Sequence, residues 1–369
     1  MRADAPIDAV TAAAYRIPTD GPEADGTISW TSTTMIVVRA HADGQIGTGW
    51  TYGAAVACPL INDKLAGIAV GRDAMDVTGA YDAMSRSARN LGRLGIAACA
   101  ISAVDVALWD LKARLLDIRL ARLLGETRDT VPIYGSGGFT SYDDAQLENQ
   151  FTHWVHEQGI PRVKMKIAES WGSREDRDLA RVARARKIIG PGPELYVDAN
   201  GGYGRKQAIR VAEAAADCDL RWLEEPVSSD DLAGLHEVRT HVSADVAAGE
   251  YGYDLPYFAR MVQAGAVDCL QADLSRCGGI TEWQRVAAVA AANNLQISGH
   301  CAPHLHLDAA AATPNLRHLE WFHDHVRIEN MLFEGTTLPR PGGVLPIDAD
   351  RPGHGLTFLD DAASPYRIG

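Results

Sequence analysis

The sequence predicts an α/β protein, a modified (β/α)8 TIM-type barrel preceded by an α+β capping domain. First, from residue 131 onward one unit recurs: a short apolar run, a polar tip, then an amphipathic helical stretch. Second, the residues before it have a different texture, with strand-like runs followed by helical patterns. Third, the polar tips of successive runs are separated by about one βα unit each.

The amino-terminal region reads as three strands of a meander at 7–17, 34–39 and 47–52, with Asp43-Gly44 as the turn between the last two. Helical patterns run from about 59 to 124, with Gly125 as a stop. The segment 18–30, rich in Pro, Gly and Asp and ending at Trp30, reads as a connector. Apolar runs then fall at 131–136, 162–167, 194–200, 220–226, 244–250, 267–273, 295–300 and 316–321, with helical stretches between them such as 176–189, 206–216 and 281–292. An open doubly wound sheet is the competing architecture, but no G-x-G-x-x-G follows the first run. The boundaries expected are 1–128 for the cap, 129–335 for the barrel and 336–369 for a tail returning to the cap.

The bulk numbers exclude several classes. A net charge of −13 argues against sequence-independent nucleic-acid binding, which needs clustered Lys and Arg. The apolar stretch 94–111 is interrupted by Ser102, Asp105 and Asp110, so it reads as a buried helix and no membrane association is expected. The first residues lack a basic segment followed by an apolar run, so no signal peptide is expected. Six scattered cysteines without a C-x-x-C pair fit reduced thiols in the cytoplasm.

In a barrel the chemistry sits where strands end at the carboxyl face. The tips are Lys164 and Lys166, Asp198, Glu224, Glu250, Asp273, His300 and Glu320. Alternation puts Lys164 and Lys166 on one side of their strand. That is either a half-solvated face or a pair of ammoniums in the lumen. Asp198, Glu224 and Glu250 end three successive runs and supply hard oxygen donors, which suits Mg2+ rather than zinc. Each also has a local reading: Asp198-Ala199-Asn200-Gly201-Gly202 makes a good turn and Glu224-Glu225-Pro226 a good strand exit. Asp273 precedes His300 by one strand, as in a dyad that fixes the imidazole tautomer. Glu320, between Leu319 and Trp321, is either an acid of raised pKa or a buried ion-pair partner. His304 and His306 follow on a helix and are read as non-catalytic.

Taken together and in this order, these eight residues resemble the enolase superfamily, specifically its mandelate racemase-like branch, and the resemblance spans essentially the whole chain. It implies magnesium on Asp198, Glu224 and Glu250, with Glu224 and not Glu225 as the middle ligand. It implies Lys166 as one base, with Lys164 near the substrate carboxylate. His300 with Asp273 becomes the base or acid on the opposite face, and Glu320 a hydrogen-bond partner of the enolate oxygen. The implied partner is a small-molecule carboxylate, a sugar acid, and a homo-oligomer is expected. The implied reaction is removal of the α-proton through an enediolate, then dehydration to a 2-keto-3-deoxy acid. A racemase, epimerase or cycloisomerase would use the same bases. A non-catalytic binding protein is disfavoured, because packed like charges cost stability without a metal. By the same resemblance the 18–30 segment closes over the barrel mouth. Further expected substrate contacts are Trp30, Tyr52, Tyr134, Ser136, Asn200 and Arg276, with Tyr251 another candidate.

Overall fold

A computed structural model describes residues 5–348 and 350–368. Strands β1 (Ala9–Ala24), β2 (Ser29–Ala42) and β3 (Gln45–Tyr52) form an antiparallel sheet in that order. Ala42 pairs with Gln45, which leaves Asp43 and Gly44, both at positive φ, as the two-residue turn that the Asp-Gly dipeptide favours. The long helix Ile96–Leu115 is buried along most of its length and lies on this sheet. It comes so close that a Cβ on Gly47 would sit 2.1 Å from the Ala107 carbonyl, and one on Gly49 2.3 Å from that of Ala103. Glycine at these two positions is what lets helix and strand touch.

Eight strands follow: β4 (Thr130–Gly137), β5 (Arg162–Lys166), β6 (Glu194–Asp198), β7 (Leu220–Glu224), β8 (Asp245–Ala248), β9 (Cys269–Ala272), β10 (Gln296–Gly299) and β11 (Leu316–Phe322). Each pairs with the next in parallel, and β11 pairs with β4, so the sheet closes into a barrel. Its floor is aromatic, with Tyr134, Tyr196 and Trp222 fully buried together. The tail does more than return to the cap. Strand β12 (Phe333–Glu334) pairs with β14 (Thr357–Phe358), while β13 (Val344–Pro346) runs antiparallel along β4 of the barrel. The Ile368 amide then donates to the Ala14 carbonyl of the cap.

The segment 18–30 differs most from the sequence reading. It is not an open loop: β1 and β2 continue into it, and pairing resumes at Glu23 with Trp30 after a bulge that begins at Pro18. The hairpin tip is docked on the barrel. Thr140 donates its amide to the Ala24 carbonyl at 2.8 Å and its hydroxyl to that of Asp25 at 2.6 Å. Gly26 touches the β5 end so closely that a Cβ there would lie 2.6 Å from the Ile167 carbonyl. Composition suggested a loop because Pro, Gly and Asp are poor strand formers, but the bulge absorbs them and the long hairpin survives.

Among the described residues no helix is long and apolar enough to cross a membrane. All six cysteines are free.

Candidate active site

Sheet register turns the spacing of the tips into a cluster. Lys166 is the lateral partner of Asp198, and Asp198 that of Glu224. Glu250, Asp273 and His300 lie just beyond β8, β9 and β10, and Glu320 stands within β11 opposite Tyr134. All of these side chains are buried. Val163 and Met165 on the other face of β5 are buried as well, so the half-solvated reading of the two lysines does not hold.

Asp198, Glu224 and Glu250 each bring one carboxylate oxygen within 4.8 Å of the others. Glu225 is turned out of this trio by a left-handed backbone, φ 38°. Three buried carboxylates with oxygen-only donors fit a hard divalent cation. Burial pushes Glu224 up to about 8 although Lys164 opposes the shift. Glu250 Oε2 lies 3.2 Å from His300 Nε2 yet has no hydrogen-bond partner, so the trio retains an acceptor to give.

The lysines hold the trio together in the bare chain. Lys164 pairs with Glu224, with Glu320 at 2.8 Å and with Asp198 at 3.4 Å. Lys166 pairs with Asp198 at 2.5 Å. Burial favours the neutral amines, but the carboxylates outweigh it and hold both lysines above their ordinary range.

Across the lumen, Ser275 donates its amide and its hydroxyl to Asp273 Oδ1, both at 2.7 Å. That leaves Oδ2 for His300 Nδ1 at 2.8 Å. His300 Nε2 therefore faces Glu250 and, at 3.3 Å, the Cys301 thiol. Burial lowers His300, but Cys301, Glu250 and Glu320 together carry it well above the usual imidazole value. Asp273 is held below the carboxylate range: burial raises it, and His300 and Arg276 more than compensate.

Glu320 corrects one expectation. Burial raises its pKa, yet Lys164, His300 and Lys166 bring it well below normal, so it is not an acid of raised pKa. It accepts from Ser136 Oγ at 2.6 Å and from the Cys301 amide at 2.9 Å, besides pairing with Lys164. The ion-pair reading of this residue is the one the structure carries.

A cavity of about 220 Å³ opens at this cluster, walled by Lys166, Asn200, Glu250, Arg276 and His300 from the barrel and by Asp25 and Trp30 from the hairpin. Tyr251 also faces it. The guanidinium of Arg276 is engaged, 3.3 Å from Asp273 and 3.5 Å from Glu250. Three expected contacts are not in its wall. Tyr52 stacks on His325 at 3.5 Å and donates to Glu329. Tyr134 lies in the floor beneath Lys164. Ser136 is spent on Glu320. Sequence reasoning also missed Cys301, which lines the cavity next to His300; its place directly after a strand tip was the available signal.

A closed barrel under a cap, with lysines facing an Asp–His dyad across a buried carboxylate trio, has the parts of an enzyme that enolises carboxylates. Residues 10–125 match the family model "Mandelate racemase / muconate lactonizing enzyme, N-terminal domain", and residues 146–362 match "Enolase C-terminal domain-like". The chain belongs to the mandelate racemase-like branch of the enolase superfamily and is a lyase or isomerase of that superfamily. It is similar to 3,6-anhydro-alpha-L-galactonate cycloisomerase of Streptomyces coelicolor, 33% identical over 98% of this chain and 100% of that protein. L-talarate/galactarate dehydratase of Salmonella typhimurium is 30% identical over 90% of this chain and 82% of that one. Among solved structures, a mandelate racemase/muconate lactonizing enzyme-like protein from Rubrobacter xylanophilus superposes with TM-score 0.94 at 46% identity, covering 98% of this chain and 100% of that one. A racemase from Streptomyces coelicolor A3(2) with bound magnesium gives 0.91 at 31%, with 98% and 100% covered.

Proposed function

We propose that this enzyme removes the α-proton of a sugar acid and expels the oxygen on carbon 3, giving a 2-keto-3-deoxy acid. The observation that carries the reading is the pair of proton-transfer groups on opposite walls, Lys166 on β5 and His300 beyond β10, with the cavity between them. Asp198, Glu224 and Glu250 are the residues that would hold magnesium. Bound there, the ion supplies positive charge against the enediolate dianion. Lys164 adds a second fixed cation beside the substrate carboxylate. One wall group takes the α-proton from the substrate carbon, leaving a planar enediolate. The other protonates the oxygen on carbon 3 as its bond to carbon breaks, and the resulting enol takes a solvent proton at carbon 3. Asp273 holds His300 in one tautomer, and Glu320 holds Lys164 and the Cys301 backbone in place. The docked hairpin, with Trp30, excludes water.

Cycloisomerisation is the second reading, and the similarity to the anhydrogalactonate cycloisomerase favours it. The two reactions share their critical bond. A 3,6-anhydro ring puts an ether oxygen on carbon 3 where an open-chain acid carries a hydroxyl. Proton delivery at that oxygen opens the ring in one case and releases water in the other.

The test is a set of open-chain and anhydro sugar acids turned over in D2O. A productive substrate gives 2-keto product with one solvent deuterium at carbon 3. Lys166→Ala is expected to remove α-exchange from one stereochemical face, and His300→Asn from the other. Exchange surviving on both faces in both variants would remove these residues from the mechanism.

A further inference from the structure

A second and larger chamber, about 560 Å³, adjoins the reaction cavity. Asn200 and Tyr251 belong to the walls of both. None of the chemistry proposed above uses this space. Its lining includes Trp171, 67% exposed, Tyr251, 42% exposed, and Tyr253. Trp171 is held there by an unusual backbone. Ala168, Ser170 and Trp171 all have left-handed φ, and the Trp171 amide donates to the Gly26 carbonyl at 2.9 Å. A large aromatic kept in water on a strained loop calls for a reason beyond folding.

The wall also carries buried polar atoms that the fold leaves unused. Glu225 is 1% exposed and lines the chamber, yet its Oε1 has no hydrogen-bond partner, and neither does Asn200 Oδ1. Native structures rarely leave such acceptors orphaned without a ligand or water to meet them. An apolar protein segment would bury both oxygens unpaired, which argues against a protein contact. Glu225 and Asp230 stand against a single cation, Arg260, so a second carboxylate or a phosphate is not favoured either. Acceptors for hydroxyl groups next to the exposed aromatic side chain of Trp171 suit a neutral pyranose, whose hydroxyls donate while its C–H face lies on a ring.

We infer that this chamber is a second subsite for a neutral sugar unit, either joined to the sugar acid as a glycosyl substituent or bound as a free saccharide. The substituent form rests on the proposed reaction. A substituent on carbon 4 leaves the α-proton and the carbon-3 oxygen free, so the same bonds break and the glycosidic bond is untouched.

The magnesium-loaded enzyme is titrated calorimetrically with gluconate, with glycosylated gluconates of differing linkage (lactobionate, maltobionate, melibionate), and with methyl galactoside and methyl glucoside. The titrations are made in a His300→Asn background, which removes proton transfer at one wall, so the subsite and the reaction can fail separately. At least one glycosylated acid is expected to bind tenfold or more tighter than gluconate, and Trp171→Ala to erase that advantage while gluconate affinity stays the same. Measurable binding of a methyl glycoside, lost in Trp171→Ala, assigns the subsite to free saccharide. Equal affinity for gluconate and every glycosylated acid, with no glycoside bound, overturns the inference. So does a Trp171→Ala variant that retains the advantage, or one whose only change is its oligomeric mass.

Discussion

Two buried imidazole–carboxylate pairs lie near each other in this molecule, and only one faces the reaction cavity. At the barrel mouth His300 Nδ1 meets Asp273 at 2.8 Å; at the seam between cap and barrel His304 Nδ1 meets Glu329 at the same distance. What separates them is the second nitrogen. His304 Nε2 is closed off by the Thr337 backbone, with that carbonyl at 2.9 Å, and Glu329 also takes hydrogen bonds from Trp50 and Tyr52 of the cap. His300 Nε2 looks into the cavity toward Glu250 and Cys301. The pair at the mouth keeps a nitrogen facing the cavity, whereas at the seam both nitrogens are bound within the fold.

The most severe way to break the mouth is at the carboxylate trio. Glu250→Gln is expected to lower kcat by more than about 10³, as expected when a charge-stabilising group in a water-excluded site is lost, and excess chelator is expected to silence the wild type. Glu329→Gln at the seam should leave metal dependence as it was. Turnover of the wild type in chelator would remove the metal from the account.

Next in size comes the exchange between the two histidines. His300→Asn should lower kcat by about 10²–10⁴, the usual range for a lost proton-transfer group, and circular dichroism should show an unchanged fold. His304→Asn should do the reverse: kcat stays close to wild type, while unfolding in urea shows a loss of about 1–3 kcal/mol from unsatisfied buried groups. If the two variants had the same profile, the distinction between site and seam would fail.

Proton linkage sharpens the contrast. The folded pKa of His300 lies above its unfolded value, so its pairing stabilises the metal-free chain fully below the ordinary imidazole pKa. That stabilisation is lost as pH rises through the folded value. Asp273→Asn should shrink this pH-dependent part of the stability, read as Tm across pH in the metal-free protein. It should also lower kcat less than His300→Asn does, because the imidazole remains but is misoriented.

The smallest effect belongs to the hairpin. Trp30 donates to Glu23 at 2.8 Å and sits edge-on to Phe139, anchoring the hairpin over the cavity. Trp30→Ala should raise KM several-fold with little change in α-exchange from bound substrate, since the hairpin excludes water and supplies no base. An exchange rate that fell as far as in His300→Asn would give Trp30 a direct part in the chemistry.

The repeating unit made the barrel legible, because a strand buried on both faces must be apolar along its length while its end is free to be polar. That same rule exposed Lys166, Asp198, Glu224, Glu250, Asp273 and His300, one strand end after another, with Lys164 and Glu320 inside their strands close to the same face. Register then aligned them, Lys166 beside Asp198 and Asp198 beside Glu224. Side-chain identity alone could not say which of the remaining polar groups turn toward the cavity. Tyr52, Tyr134 and Ser136 have suitable chemistry but spend it on Glu329, the barrel floor and Glu320. The hairpin at 18–30 was obscured because a bulge hides its pairing from local propensity. The charge state of Glu320 was obscured for a different reason. Its sequence neighbours Leu319 and Trp321 suggest a desolvated acid, whereas its spatial neighbours Lys164 and His300 come from β5 and β10 and outweigh the burial. The sequence by itself determined the barrel and the kind of atoms at its mouth, since both follow from periodicities within one strand and helix. Only the tertiary structure decided protonation, orientation and which atoms stay open, because electrostatics and hydrogen bonding depend on distances between residues that lie far apart in the chain.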